Sequence, residues 1–183
     1  LLLILALANP RWGALFEGRG VVLVLDTSIW SQARPVGETP WIDRERVEAL
    51  RLVDSLPSGD RVLLLRAEAD APPILPFTTD HAALRRAIAG AQASSGTADI
   101  PRALEMGRAA LAGSRRGLLV YVGPGMLDED QARRLEEFRA AMETPGETGG
   151  QPQFLVRLAN DRATLENRGI TRLSLRRDTA QPN

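Results

Sequence analysis

Short apolar runs alternate with amphipathic segments along most of the chain. Three runs have the length and the branched apolar composition of buried strands, and they are Val21–Leu25, Arg61–Ala67 and GLLVYVG at 117–123. FLVRLA at 154–159 predicts another short buried strand. The segment PPILPFTTD at 72–80 fits a short edge strand, because proline cannot donate a hydrogen bond to a central ladder.

Four segments between these runs are predicted to be helices. The first covers Ile42–Leu56, where Val47, Leu50, Val53 and Leu56 recur on one face. The other three cover residues 80–91, 98–113 and 127–142.

Residues typical of helix starts precede the later helices. Thr78 or Thr79 is predicted to cap the second helix, and Thr97 is a candidate cap for the third. Pro101 falls in the first turn of the third helix, where its missing N–H costs nothing. Asp128–Asp130 lie at the positive end of the dipole of the fourth helix.

Strands that alternate with helices predict an α/β fold. We expect a Rossmann-like, doubly wound, mostly parallel sheet with one antiparallel edge strand and helices on both faces. Ligands bind such sheets beyond the carboxyl ends of the strands. The segments Asp26–Ser28, Ser94–Thr97 and Gly123–Gly125 fall at strand ends or helix entries and are therefore the candidate site loops.

Composition excludes several classes of protein. The 183 residues suffice for one good core, and a net charge of zero without a basic stripe argues against nucleic-acid binding. All 23 basic residues are arginine, which excludes Schiff-base and P-loop lysines. Cysteine is absent, so thiolate nucleophiles and disulfides are excluded. His81 is the single histidine, so a site with two histidine ligands is impossible within the chain.

Enzymatic motifs are missing as well. Ser28 lacks the Gly-x-Ser-x-Gly elbow of a serine hydrolase, and His81 opens a helix, where a partly exposed histidine without catalytic work is expected. No Gly-x-Gly-x-x-Gly follows the first strand, and a receiver-type phosphoacceptor would need a lysine. The sequence therefore favours a protein that is not an enzyme.

The two ends of the chain have their own patterns. LLLILALA supplies eight apolar residues before Asn9 and Pro10, fewer than the about 20 of a membrane span. Residues 1–12 are either an ordinary buried segment or the last turns of a transmembrane helix, with Trp12 at the interface. Residues 165–183 alternate apolar and polar positions, which predicts a strand with one wet face.

Three pieces in order resemble a von Willebrand factor type A domain. They are Asp-Thr-Ser at 26–28, Ser-Gly-Thr at 95–97 and the turn after LLVYV. The resemblance covers residues 20–160. The apolar start further resembles bacterial aerotolerance-regulator-type proteins, and the tail at 165–183 resembles the start of an immunoglobulin-like β-sandwich found in some of them.

The resemblance implies a location and a mode of action. Proteins of this type are anchored in the bacterial cytoplasmic membrane by an N-terminal double transmembrane segment, with the type A domain on the extracytoplasmic side. Such a domain binds a protein partner through the loops at the carboxyl end of its sheet.

The family's metal site uses Asp-x-Ser-x-Ser, a threonine and an aspartate from three loops. Asp26, Ser28 and Thr97 match this pattern, whereas Trp30 and Gly123 stand where a serine and the second aspartate are required. Mg²⁺ needs near-octahedral oxygen at about 2.0–2.1 Å, and hydroxyls replace a lost carboxylate poorly. We therefore expect a degenerate site and no bound cofactor, unless Asp99 or Asp128 reaches in from a neighbouring loop.

Three hypotheses follow. In the first, a non-catalytic interaction module binds a protein partner through Asp26, Ser28, Trp30, Thr97 and Gly123. In the second, Asp26, Ser28 and Thr97 hold Mg²⁺ and a carboxylate of the partner completes its coordination. In the third, the domain is a spacer between membrane and sandwich. Trp30 either anchors the partner or folds back over the metal position.

Overall fold

The structure is a computed structural model that describes residues 18–34, 37–68, 73–114, 116–143 and 152–159. Its strands are β1 (Gly20–Leu25), β2 (Arg61–Arg66), β3 (Leu75–Thr78), β4 (Leu118–Gly123) and β5 (Gln153–Leu158). Its α-helices are α1 (Trp41–Ser55), α2 (His81–Gly90), α3 (Ile100–Ala110) and α4 (Glu129–Glu143). A single 3₁₀ turn, Ile29–Gln32, follows β1.

The five strands form one sheet in the order β3-β2-β1-β4-β5. β1 pairs in parallel with β2 and β4, β4 pairs in parallel with β5, and β3 runs antiparallel to β2 at one edge. The predicted fold class, including its antiparallel edge strand, is confirmed. β1 is buried along its whole length because both faces of a parallel sheet are covered by helices.

Alternate residues of the central strands supply two separate cores. Val21, Leu23 and Leu25 pack towards α1 and α2 on one face. Val22 and Val24 pack towards α3 and α4 on the other. The residue after β1 in this second series is Asp26, so its side chain continues the α3–α4 side of the sheet.

Aspartates cap the later helices, and this corrects two predictions. Asp80 accepts a hydrogen bond from the Ala83 amide at 2.9 Å, so neither Thr78 nor Thr79 caps α2. Asp99 caps α3 through the Arg102 amide at 3.1 Å, so the predicted cap, Thr97, does not have this role. Asparagine and aspartate are at least as good as threonine in this role.

The buried face of α1 also differs from the prediction. Trp41, Glu45, Ala49 and Val53 are buried, whereas Val47 is 46% exposed. These four residues are spaced four positions apart, close to the 3.6 residues of one helical turn, so they lie along one face of α1. Of the other predicted positions, Val53 and Leu56 are buried and Leu50 is partly buried, so the prediction is wrong at Val47.

β5 is an edge strand and is mostly exposed, which corrects the prediction of a buried strand. Its outer side pairs with no other strand of the described chain, and Val156 and Leu158 are 43% and 53% exposed. The predicted segments 1–12 and 165–183 lie outside the described residues, and the division into domains stays a prediction. None of the helices within the described ranges has the length and apolarity needed to cross a bilayer.

Candidate functional site

The candidate loops meet where β1 and β4 lie side by side. From β1 the chain crosses to β2 on one side, while β4 lies on the other, so this is the switch point of the sheet. The amide of Asp26 donates to the carbonyl of Val122 at 2.8 Å and extends the β1–β4 ladder by one bond. The first and third loops therefore start in contact with each other.

The second loop is bonded to the first by its backbone. The Ser94 amide donates to the Thr27 carbonyl at 2.6 Å, and the Ile29 amide donates to the Gly96 carbonyl at 2.9 Å. The side chain of Gln32 adds a bond to the Ser94 carbonyl at 2.8 Å. We call the three joined loops, residues 26–32, 94–97 and 123–125, the rim.

Asp26 lies at the centre of the rim and is almost wholly buried. Its Oδ1 accepts a hydrogen bond from the Ser28 amide at 2.9 Å, and the Ser31 hydroxyl lies 3.4 Å from the same oxygen. Its Oδ2 accepts a hydrogen bond from the Tyr121 hydroxyl at 2.8 Å. Both carboxylate oxygens thus have donors from the chain itself.

Tyr121 reaches Asp26 over a glycine. Side chains alternate along β4, so Tyr121 and Gly123 face the same side of the sheet as Asp26. A Cβ added to Gly123 would lie 2.3 Å from the Tyr121 hydroxyl oxygen and 2.5 Å from the Asp26 Cβ. The tyrosine hydroxyl therefore occupies space that any other residue at position 123 would need.

Burial changes the acidity of this hydroxyl. It raises the pKa of Tyr121 well above the ordinary value of 10, and the neighbouring Asp26 charge and hydrogen bond add to the rise. The Gly125 amide, which donates to the hydroxyl at 3.3 Å, opposes it weakly. Tyr121 is consequently a hydrogen-bond donor at any physiological pH.

A second carboxyl group, Glu45 of α1, approaches the rim from the other face. Burial raises its pKa from 4.5 to about 8, and repulsion by Asp26 adds to the shift. The Ser31 hydroxyl and the Arg46 guanidinium lower the pKa by less. Neither oxygen of Glu45 has a hydrogen-bond partner of good geometry among the described residues. Glu45 is therefore mostly protonated and neutral at pH 7.

The other predicted site residues take different positions. The Ser28 hydroxyl is fully buried and has no hydrogen-bond partner within the described part of the chain. Thr97, next to Gly96, is exposed. Trp30 is 36% exposed on the 3₁₀ turn, beside Ile29 at 46%. The structure brings Asp26, Ser28 and Gly123 into one buried cluster and leaves Trp30 and Thr97 at its surface.

Comparison with known proteins identifies the family. The model of the von Willebrand factor type A domain matches residues 21–125, more than half of the chain. The chain belongs to this family. No protein of curated function matches the chain in sequence.

Several solved structures resemble this type A domain. The conserved hypothetical protein BatB from Bacteroides thetaiotaomicron is 24% identical, with a TM-score of 0.58 over 76% of this chain and 65% of that one. An aerotolerance-related membrane protein from Bacteroides fragilis is 20% identical, with a TM-score of 0.58 over 88% and 78% of the two chains.

A more distant structure, three N-terminal domains of the type V pili tip protein Mfa5 from Porphyromonas gingivalis, is 20% identical with a TM-score of 0.50. It matches 60% of this chain and 20% of that one. The chain spans 65% of the length of BatB, less than two thirds. At these identities the likeness to all three concerns the fold.

The residues at the rim do not fit the family's Mg²⁺ ion. Both carboxylate oxygens of Asp26 accept hydrogen bonds from within the chain. Thr97 lies at the surface and not in the buried cluster. Position 123 offers no ligand and has no room for one while Tyr121 keeps its place. Mg²⁺ gives up its bound water reluctantly, and the rim offers too few oxygen ligands to replace that water.

The two neighbouring aspartates are used elsewhere. Asp99 caps α3 and lies 3.3 Å from the Arg134 guanidinium. Asp128 caps the start of α4 through the Gln131 amide at 2.8 Å. Within the ranges that the structure describes, no group of three or more acidic or histidine side chains is arranged to hold a metal.

Sequence analysis missed Tyr121 and Glu45. Tyr121 is the only tyrosine of the chain, and its place two residues before a glycine at a strand end was the available signal. Glu45 stands four residues from both Trp41 and Ala49, so the helical repeat already placed it on the buried face. A carboxyl group in such a position is rare unless it is paired or neutral.

Proposed function

We propose that this type A domain is a non-catalytic protein–protein interaction module of a membrane-anchored bacterial protein. It binds its partner through the rim at the carboxyl end of the sheet, with Trp30 and Ile29 as the apolar contacts. The observation that carries this proposal is the exposure of two large apolar side chains on a loop that is bonded to both of its neighbours.

The preparation of the rim favours binding. Backbone bonds from Ser94 and Ile29 and the Gln32 side chain hold the first two loops together before any partner arrives. A prepared surface loses less conformational entropy on association than a loose one. Aromatic side chains that are partly exposed on such a surface are the usual anchors of protein interfaces.

The positions of the polar groups argue against catalysis at the rim. Thr78 pairs with Val62 near the start of β2, and His81 opens α2 three residues later. His81 therefore lies at the amino end of the parallel strands, the length of the sheet away from Ser28. Ser28 itself is buried, which keeps its hydroxyl from a substrate.

Membrane anchoring is supported by the fold neighbours and by the sequence. One solved neighbour is described as an aerotolerance-related membrane protein. The apolar segment 1–12 precedes the domain in this chain. In the proposed arrangement that segment is the end of a transmembrane helix, and the domain lies outside the cytoplasm.

Site-specific photo-crosslinking tests the proposal. A photoreactive amino acid replaces Trp30 in one protein and Phe77 in the other, since the two side chains are 36% and 37% exposed. Each protein is irradiated in membranes of the source bacterium. We expect a discrete protein adduct from position 30 and none from position 77, which lies on the far edge strand.

Competition makes the result specific. Excess wild-type chain should abolish the adduct, whereas the Trp30→Ala variant should compete at least about tenfold less well, the loss typical of an aromatic anchor. Val47→Ala, at the same 46% exposure as Ile29, should compete like wild type. Absence of any adduct from position 30 would contradict the proposal and favour a spacer.

A further inference from the structure

The position that the family gives to a metal-ligating aspartate is filled here by a tyrosine hydroxyl. Gly123 is the last residue of β4, and the hydroxyl of Tyr121 lies 2.3 Å from where the glycine's Cβ would be. The same hydroxyl donates to Asp26 Oδ2 at 2.8 Å. The position of the tyrosine hydroxyl therefore depends on the absence of a side chain at position 123.

Hydrogen bonding satisfies Asp26 without a cation. The Ser28 amide and the Tyr121 hydroxyl each donate to a different carboxylate oxygen, and the Ser31 hydroxyl lies close to the first. A buried carboxylate that accepts two or three hydrogen bonds is stable in a protein interior. Each oxygen of Asp26 thus has a donor within the chain, which weakens its attraction for a metal.

We propose that Tyr121 and Gly123 together close the cation position of this type A domain, so that the rim binds its protein partner without a divalent metal. This inference rests on the proposed interaction function for its second half. Its first half, closure by Tyr121, concerns the chain alone. Binding by the rim is therefore insensitive to chelators, and the partner needs no carboxylate to complete a coordination sphere.

Restoring the aspartate alone should fail. In Gly123→Asp the new Cβ meets the hydroxyl of Tyr121, and the hydroxyl still occupies Asp26. In the double variant Tyr121→Val/Gly123→Asp both the hydroxyl and the ring carbon 2.6 Å from the new Cβ are gone, and Asp26 Oδ2 loses its donor. Two carboxylates then face the same position, once the Asp26 Cβ at 2.5 Å has shifted. Two carboxylates with the Ser28 hydroxyl make a set of oxygens that Mg²⁺ or Mn²⁺ accepts.

Mn²⁺ and Mg²⁺ titrations test the closure. The whole chain is titrated with Mn²⁺ under electron paramagnetic resonance, which reads free Mn²⁺ directly, and with Mg²⁺ in a calorimeter. We expect no specific binding by wild type or by Gly123→Asp. The double variant should bind Mn²⁺ at least about tenfold more tightly than wild type, and Asp26→Asn should abolish that gain.

Two results would overturn the inference. One is stoichiometric Mn²⁺ binding by the wild type that Asp26→Asn removes. The other is a folded double variant, by circular dichroism, that binds no more Mn²⁺ than wild type. If the double variant does not fold, the wild-type ultraviolet resonance Raman bands of the single tyrosine decide: they should be unchanged by excess Mn²⁺, and a shift would refute the closure.

The partner half has its own test. The adduct from the photoreactive residue at position 30 should form equally well in EDTA and in Mg²⁺. Its loss in EDTA would refute metal-independent binding. Failure to find any adduct would refute the proposed function, whereas the metal titrations would still decide the closure by Tyr121.

Discussion

At the scale of single residues, the hydroxyl of Tyr121 is the contact with the largest consequence. It is buried and donates to the carboxylate of Asp26, which itself is 1% exposed. A buried acceptor without a donor destabilises the folded state, because the hydrogen bonds that it made with water are not replaced. The hydrogen bond from Tyr121 therefore contributes to the stability of the domain and to the structure of the rim.

Tyr121→Phe removes that oxygen and little else. We expect the free energy of unfolding to fall by about 1–3 kcal/mol, because Asp26 Oδ2 is left buried without a donor. Urea unfolding followed by circular dichroism measures it. In a double-mutant cycle with Asp26→Asn the two losses should be less than additive. Fully additive losses would mean that the two side chains do not interact.

Tyr121 also makes its own titration visible, since the chain has one tyrosine. Its pKa is raised above 10 in the folded state, so its stabilisation is complete below the unfolded pKa and is lost as pH rises through the folded one. Phenolate absorbance should be absent from the folded protein at about pH 11 and appear together with unfolding. Ionisation at about pH 10 with an intact circular dichroism spectrum would contradict the buried hydrogen bond.

At the scale of elements, α3 packs on the sheet through a glycine. A Cβ on Gly107 would lie 2.6 Å from Leu119 Cδ1 and 3.0 Å from Val22 Cγ1. Both neighbours are fully buried side chains with little room to move. The close approach of helix and sheet here is therefore set by the missing side chain.

Gly107→Ala sets two effects against each other. Alanine favours the helix by about 1 kcal/mol, but the added methyl group overpacks the core at a cost of about 1–3 kcal/mol. We expect a net loss of stability in urea unfolding. Gly90→Ala is the matched control, since nothing lies within 4 Å of a Cβ at that position in α2, and it should be neutral or stabilising. Equal effects of the two substitutions would refute the packing explanation.

Most helices and strands could be predicted from the sequence, because the spacing of apolar residues reflects which side of each element is buried. The strand Val21–Leu25 follows from its run of branched apolar residues, and the edge position of Leu75–Thr78 follows from the prolines of that segment. The exposure of β5 could not be predicted. An apolar run indicates a strand, but it does not show whether the strand is central or lies at the edge of the sheet. The caps on α2 and α3 were missed because a threonine and an aspartate, a few residues apart, satisfy the same motif.

Of the site, the sequence could predict which loops meet but not what holds them. The order of Asp26, Thr97 and Gly123 along the chain is enough to place them at one end of a wound sheet. The contact between Tyr121 and Asp26 spans 95 positions and depends on side-chain reach over Gly123. No local pattern encodes a distance of that kind.

At the scale of the whole molecule, the buried Glu45 gives the fold a pH dependence. Its pKa is about 8 in the folded protein against an ordinary 4.5. Between these pH values the folded state keeps a proton that the unfolded state releases. The contribution of protonated Glu45 to the free energy of unfolding is therefore complete below about pH 4.5 and is lost as pH rises to about 8. Above that pH the domain contains a buried and poorly solvated charge.

Glu45→Gln removes this dependence. We expect the stabilising contribution of protonated Glu45 to the wild-type protein to decline between about pH 5 and 8. At pH 9 the variant should be more stable than the wild type by about 3 kcal/mol. Urea unfolding at several pH values measures both. Glu48→Gln, three residues further on the partly exposed side of α1, should retain the wild-type profile. A wild-type profile in Glu45→Gln would show that other groups govern the pH response.

The two ends of the described domain leave it at opposite poles. Arg19 is joined to Asp60 at the amino end of the sheet, whereas the Ala159 amide donates to the Gly123 carbonyl beside the rim. The six residues of β1 separate these poles by about 20 Å. A partner bound at Trp30 is therefore separated by the length of β1 from Arg19, where the described chain enters the sheet.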